Sequence, residues 1–257
     1  MVPQDLLTEV RDENPLVHCI TNYVAMNIAA NVVLAAGASP AMVHAPEEIA
    51  DFTPICGALT INIGTLSAPW QASMVAAATT AHARSIPWVL DPVAHFISGY
   101  RKRTAQDLLS LRPTIVRGNA SEILALTGEA GAGKGADTGD SVDAAQGAAK
   151  ALAAQFGTVI AITGPVDYVT DGVHEARVVG GSPMMPKVTA LGCAQTALMG
   201  AYAATGPAFD AALATLAHFK VAGSAAAKLA KGPGSFKMHF LDALAATQAA
   251  DLEQVIA

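Results

Sequence analysis

The chain has 257 residues, long enough for a full hydrophobic core and within the size that compact α/β folds reach as one unit, so one domain over 1–257 is expected. A formal net charge of −6 with 15 Lys+Arg argues against nucleic acid or an anionic membrane as the main partner and favours a small or neutral ligand. The three cysteines, Cys19, Cys56 and Cys193, are odd in number and widely spaced with no C-x-x-C pair, so neither a disulfide framework nor a zinc knuckle is suggested and a reducing cytoplasm is expected.

Met1–Asn14 carries Asp5, Glu9, Asp12 and Glu13 and no apolar h-region, so no secretory signal is expected there. Two uncharged tracts, Cys19–Val43 and Val188–Phe209, raise the question of a membrane span. The first is interrupted by Asn22, Asn27, Asn31, Gly37 and Pro40, the second by Gln195, Thr196 and Gly206-Pro207. They read as buried helices. Charged residues make up only 14 %, against roughly 25 % in average domains, so subunit association is expected.

Residues 4–12 read as a short amphipathic helix and Pro15–Ile20 as an apolar strand ended by Thr21-Asn22. Asn22 reads two ways: as the cap of a helix over Tyr23–Ala36 stopped by Gly37, or as a ligand contact at a strand's C-terminal end. Ser39–His44 is the next short strand, its Met42 a core residue unless the strand borders a pocket, followed by a helix opening at Pro46-Glu47-Glu48. Ala58–Gly64 is a buried strand leading to a helix over Ser67–Arg84. Pro87–Val93 repeats the pattern with Asp91 at its end, before a helix over Tyr100–Leu111. Thr114–Gly118 is another strand, turning into a helix at Asn119. Strand and helix alternate with short connections, which predicts an α/β fold with a mostly parallel central sheet and helices on both faces.

Gly128-Glu-Ala-Gly-Ala-Gly-Lys-Gly135 contains G-x-x-x-x-G-K but ends in Gly135 where a P-loop needs a hydroxyl, and it follows a helical segment instead of a strand. Residues 128–141 therefore read as an exposed, flexible loop. A helix over Val142–Phe156 leads to the strand Thr158–Gly164. Asp167–Thr170 and Val173–Val179 then flank Asp171-Gly172, a type I′ hairpin signal, so the sheet is expected to finish in an antiparallel edge hairpin. Three helices close the chain at 193–205, 208–230 and 239–250, with Lys231–Phe236 as a rigid turn holding an unsatisfied amide or two.

Lys187–Leu198 places a basic residue, a glycine-containing turn and a thiol at the start of an Ala-rich helix. Helix N-termini expose amide N–H groups and the positive end of the macrodipole, so this is a candidate anion site with Cys193 on its rim. Asn22, Asp91, Arg117 with Glu122, and Thr163-Gly164 fall at successive strand ends and join it. Together they suit phosphoryl transfer, which needs an anion cradle, cationic support and metal bridging of phosphates. Each has a structural alternative: Cys193 as a buried core cysteine of a buried helix, Glu122 as the N3 partner of an Asn119 cap, Asp91 as a turn former before Pro92, Arg117 as a solvated strand-end charge, Thr163-Gly164 as a plain strand terminus.

Ile20-Thr21-Asn22, Gly37-Ala-Ser-Pro-Ala-Met42, Asn62-Ile-Gly-Thr-Leu66, Leu90-Asp-Pro-Val93, Arg117-Gly-Asn-Ala-Ser-Glu122, Ile162-Thr-Gly164, Gly192-Cys193 and Lys231-Gly-Pro-Gly-Ser-Phe236 occur in this order. Over nearly its whole length the chain resembles the hydroxyethylthiazole kinase family. The resemblance implies a ribokinase-like fold, ATP-dependent phosphorylation of 4-methyl-5-(2-hydroxyethyl)thiazole in thiamine salvage, Mg²⁺ as cofactor, and a homotrimer with sites at subunit interfaces. Carried over, it implies that Asn22 and Met42 line the thiazole pocket with Ala190, that Arg117 and Thr163 contact the nucleotide, and that Asp91 and Glu122 hold the metal. Ala190, Leu191, Gly192 and Cys193 would form the anion hole, with Cys193 nearest the substrate hydroxyl. A free thiol has a pKa of about 8.5, and a helix N-terminus is expected to lower it.

The sequence departs from the family pattern twice. Ala190 stands where the family has a glycine, which at positive φ would cost roughly 1 kcal/mol. Ala94-His95-Phe96 replaces a Gly-Ala-rich segment after Asp-Pro-Val. The alternatives are another ribokinase-like enzyme, such as a pyrimidine-alcohol kinase or a hydrate dehydratase, which an aspartate at position 193 would have favoured, and a catalytically weakened nucleotide-binding relative.

Overall fold

The computed structural model describes residues 3–128 and 141–257. Residues 129–140, the body of the expected loop over 128–141 and of the P-loop-like string ending at Gly135, lie outside the described residues.

Among the described residues short apolar runs give eight strands, and periodic stretches between them give helices. The first half runs α1 (Pro3–Glu13), β1 (Leu16–Ile20), α2 (Met26–Ala36), β2 (Ser39–Ala41), α3 (Pro46–Phe52), β3 (Ala58–Asn62), α4 (Ala68–Ala83), β4 (Trp88–Asp91), α5 (Gly99–Ser110), β5 (Ile115–Asn119) and α6 (Ala120–Leu126). The second runs α7 (Val142–Phe156), β6 (Val159–Thr163), β7 (Asp167–Thr170), β8 (Glu175–Val178), α8 (Leu191–Thr205), α9 (Ala208–Leu229), α10 (Pro233–Ala246) and α11 (Ala249–Glu253). One sheet carries the strands in the order β2-β1-β3-β4-β5-β6-β7-β8. The pairs from β2 to β6 are parallel, and β6-β7 and β7-β8 are antiparallel, as the alternation of elements and the hairpin signal predict.

Both faces of this sheet are covered, so alternate strand residues serve two cores. Val17, Cys19, Val89, Ile115, Ala161 and Val169 pack under α1, α2, α8, α9 and α10. Ile20, Ile61, Leu90, Val116, Ile160 and Tyr168 pack under α3 to α7. This is why the central strands read as continuous apolar runs. Where α8 crosses β1 and β3 the approach is set by Gly200, whose missing Cβ would overlap the Thr60 methyl and stand 2.9 Å from Val17 Cγ1.

The helix starts follow local chemistry. Ser67, Ser98 and Ser141 cap α4, α5 and α7 through their hydroxyls, and Gly37 closes α2 at φ 104°. Four expectations need correction. The helix expected over Tyr23–Ala36 begins at Met26, because Asn22 Oδ1 accepts the N–H groups of Val24 and Ala25 and holds a turn before it. β2 ends at Ala41, short of His44, as His18 takes the Val43 carbonyl at 2.8 Å and pulls the chain out of the ladder. The hairpin has a four-residue connection in place of a type I′ turn: Gly172 has positive φ, Asp171 does not, and Asp171 Oδ1 accepts the N–H groups of Val173 and His174. Lys231–Phe236 is no free turn: Pro233 opens α10, and Ser235 Oγ accepts the Lys231 and Gly232 amides, so the helix expected over 239–250 starts six residues earlier and α11 is separate.

Candidate active site

The parallel strands β1, β3, β4, β5 and β6 end side by side, and α8 begins against the same edge. That places Asn22, Asn62, Asp91, Asn119 and Thr163 in neighbouring positions, with Asn62 level with Asp91 and Asn119 level with Thr163 in register. Asp91, buried completely, is the centre. Its Oδ2 accepts from Asn62 Nδ2 at 2.8 Å and from the Thr196 hydroxyl at 2.7 Å, and lies 3.6 Å from Arg117 Nη1. Its Oδ1 is buried with no hydrogen-bond partner. Burial first, then the charge of Glu122, pushes the Asp91 carboxyl up to about 6, against the pull of Arg117, Thr196 and Asn62. The turn-forming alternative for Asp91 is therefore not what its side chain does.

Asn62 continues inward from Asp91. Its Oδ1 accepts from the Gly64 amide at 2.9 Å and from Asn22 Nδ2 at 2.8 Å, and that same Asn22 group donates to Cys193 Sγ at 3.3 Å. Each amide has one orientation, because Asn22 Oδ1 is committed to two backbone N–H groups. The sulfur is thus an acceptor here, the third residue of α8. Burial and the Asp91 carboxylate push the Cys193 thiol up to about 11, with Arg117 pulling down, so the expected lowering by the helix N-terminus is overturned by desolvation.

Arg117 is no solvated charge. It donates to Thr163 Oγ1 at 2.7 Å while facing Asp91, and its guanidinium fills the space beside Gly192, where a Cβ would sit 2.8 Å from Nη2. Ala190, the residue before α8, stands at φ 58°, ψ 15°, in the left-handed region. Ala194 is the first amide to bond back along α8, to Ala190, so the N–H groups of Gly192 and Cys193 have no intrahelical acceptor, and Leu191 reaches Val188 at only 3.4 Å. Glu122 does form the capping box with Asn119, yet its second oxygen accepts the Ala94 amide at 2.9 Å, tying the turn after β4 to α6. Ala94 is itself left-handed at φ 47°. Met42 follows β2 at the same edge and packs, partly buried, on the core beneath α2 and α8.

The donor set fits a hard divalent cation on modest terms: two carboxylates, one with an orphaned oxygen, and no cluster of three or more His, Cys, Asp or Glu among the described residues. Such cations complete their octahedra with water and substrate phosphate. A cavity of about 490 Å³ opens elsewhere, at the opposite end of the strands beside Thr114, Thr158 and His174, far from these groups.

Sequence reasoning missed Asn62, Thr196, Asp167, Lys220 and Arg101. Arg101 binds the Ile63, Gly64 and Val93 carbonyls, fastening the ends of β3 and β4. Thr196 was findable three residues past Cys193 on the same helical face. Lys220, the single charge in the apolar middle of α9, was findable as well.

Comparison with known proteins places these residues in context. The model of the hydroxyethylthiazole kinase family matches residues 7–250. The chain is 82 % identical to a hydroxyethylthiazole kinase from Roseobacter denitrificans, over the full length of both. Its structure superposes on that of a hydroxyethylthiazole kinase from Pyrococcus horikoshii with a TM-score of 0.91 and 36 % identity, covering 99 % of this chain and 97 % of the other. A ribokinase-like superfamily protein from Enterococcus faecalis matches with a TM-score of 0.65 at 12 % identity, covering 94 % and 93 %, which speaks to the fold alone.

Proposed function

The chain belongs to the hydroxyethylthiazole kinase family, and on that premise we propose that it transfers the terminal phosphoryl group of ATP to the primary hydroxyl of 4-methyl-5-(2-hydroxyethyl)thiazole, in the salvage of thiamine. The observation that carries the reading is the oriented chain Cys193–Asn22–Asn62–Asp91, which joins the start of α8 to the carboxylate at the centre of the strand ends.

In this reading 1–257 acts as one ribokinase-like kinase domain. Asn22, Met42 and Ala190 line the thiazole pocket, and Arg117 and Thr163 contact the nucleotide. The open amides of the Ala190–Cys193 turn receive the transferring phosphoryl group, where preorganised donors are worth most. Asp91, through its orphaned oxygen, and Glu122 would hold Mg²⁺ directly or through water; when bound, it neutralises charge on the phosphates. Arg117 balances the Asp91 charge and is held by Thr163 toward the glycine of the turn. Cys193 orients the hydroxyl. With its thiol at about 11 it stays protonated at neutral pH and is not the base: as the new P–O bond forms, the bond to the leaving ADP breaks and the alcohol's proton passes to an oxygen of the transferred phosphate, so most of the rate comes from positioning and charge.

We also propose a homotrimer in the cytoplasm with sites at subunit interfaces. The low charge content and the exposed Tyr23 and Val24 beside the site, with exposed Leu34 at the far end of α2, support association, which sedimentation would measure. Among the described residues no helix is long and apolar enough to cross a membrane.

The test is direct detection of phosphorylated thiazole after incubating the purified protein with ATP, Mg²⁺ and the thiazole alcohol. Product supports the reading. Bound ATP without product would shift it to another acceptor alcohol, such as a pyrimidine alcohol, or to a nucleotide-binding role.

A further inference from the structure

Lys220 lies in the middle of α9 with 4 % of its surface exposed. All three of its ammonium hydrogens have acceptors: the Gly164 carbonyl at 2.7 Å, the Pro165 carbonyl at 3.0 Å and Asp167 Oδ1 at 3.2 Å. Asp167 Oδ1 in turn accepts the Gly164 amide at 2.8 Å. The whole turn between β6 and β7 therefore converges on one buried ion pair. A second segment crosses the lysine stem. Gly180 and Gly181, at φ 98° and 81°, pass over it so closely that a Cβ on Gly181 would lie 3.0 Å from Lys220 Cδ, and the Gly181 amide is held by Ser224 of α9. That segment leads on to the turn at Ala190–Cys193.

A buried ion pair gives little net stability over a well-packed apolar pair, so its presence in the largely buried middle of α9 asks for another reason. The turn it holds begins immediately after Thr163, the hydroxyl that accepts from Arg117 at 2.7 Å. We infer that Lys220 is a positioning residue for nucleotide binding: its ammonium fixes the Gly164–Asp167 turn, and through it the Thr163–Arg117 pair, without touching the nucleotide. The inference rests on the kinase reading for the identity of that ligand.

The experiment compares wild type with Lys220→Met and Lys220→Ala, measuring kcat, KM for ATP, KM for the thiazole alcohol, and ADP affinity by calorimetry. The expected result is a rise of about tenfold or more in KM for ATP and in Kd for ADP, with KM for the thiazole within about twofold of wild type. Propylammonium, which replaces the deleted atoms, is expected to restore ADP affinity to Lys220→Ala, and propanol is not. Unchanged ADP affinity in a folded variant, or equal loss toward both substrates with no response to propylammonium, overturns the inference. If the single variants do not fold because Asp167 is left as a lone buried charge, the Lys220→Met, Asp167→Asn pair removes it. That pair must show the same ATP-selective defect, and wild-type nucleotide affinity in it is equally fatal. Absence of turnover in wild type would sink the kinase reading alone, since ADP calorimetry still judges Lys220.

Discussion

Asn62 and Asp91 face each other in register across β3 and β4, and the Asn62 amide donates to the Asp91 carboxylate at 2.8 Å. The other end of that amide accepts from Gly64 and from Asn22, so a single side chain aligns the carboxylate with the group that touches Cys193. Asn62→Ala would leave the Gly64 amide without its acceptor and take one partner each from Asp91 and Asn22, costing about 1–3 kcal/mol of stability and lowering kcat roughly 10²-fold as Asp91 and Asn22 lose alignment. Urea denaturation and steady-state kinetics measure the two effects separately.

Cys193 is expected to be a slow nucleophile. With the thiol at about 11, its thiolate fraction at pH 7.5 falls roughly 300-fold below that of a free cysteine of pKa about 8.5. Iodoacetamide labelling, followed by mass spectrometry of the peptide, is expected to accelerate through pH 9–11 in the folded protein and to reach ordinary rates after denaturation. Because the thiol orients more than it accepts, Cys193→Ala keeps measurable turnover and Cys193→Asp is at least as active as wild type. An inactive Cys193→Asp would count against this role.

The turn before α8 carries opposite expectations at neighbouring positions. Ala190 is left-handed at φ 58°, so Ala190→Gly relieves strain of about 1 kcal/mol and raises Tm by roughly 2–4 °C. Gly192→Ala instead drives a Cβ to 2.8 Å from Arg117 Nη2 and displaces the guanidinium, raising KM for ATP about tenfold or more. Calorimetric melting and nucleotide titration check the pair.

His218 supplies a pH dependence remote from the site. Its Nε2–H donates to the Leu244 carbonyl and its Nδ1 accepts from the Tyr202 hydroxyl, both at 2.9 Å, so the ring is held neutral, and burial pushes its pKa down to about 4. The unfolded chain, with a histidine pKa near 6.5, takes up a proton between these values and the folded chain does not. The contribution of His218 is therefore fully present above about pH 6.5 and is lost as pH falls toward 4, to the extent of about 3 kcal/mol. Denaturation midpoints from pH 7 to 4.5 are expected to fall more steeply in wild type than in His218→Gln, and parallel slopes would refute the assignment.

The sheet, its hairpin edge and its two-sided cover were legible because apolar runs of strand length alternate with helical stretches, and because Asp171-Gly172 marks a reversal. Asn22, Asp91, Arg117, Thr163 and Cys193 were legible as strand-end and helix-start residues, and the structure brings them together. What was not legible depended on contacts across the sheet. Asn62 sits in the quoted Asn-Ile-Gly-Thr-Leu string, yet its importance comes from its level with Asp91 on the next strand. The thiol's basicity could not be read from a helix start, because the nearby carboxylate and the burial that outweigh the dipole come from elsewhere in the chain. The missed start of α10 was local: Ser235 supplies the acceptor that lets the helix open at Pro233.

Gly200 lies seven residues, about 10 Å, along α8 from Cys193. Because its bare backbone rests on Thr60 and Val17, it acts as the pivot of a lever whose far end carries the thiol and the open amides. A methyl group added at the pivot would tip the helix off the sheet and swing Cys193 away from Asn22. A lesion there would register first as lost turnover, although it lies two helical turns from the thiol.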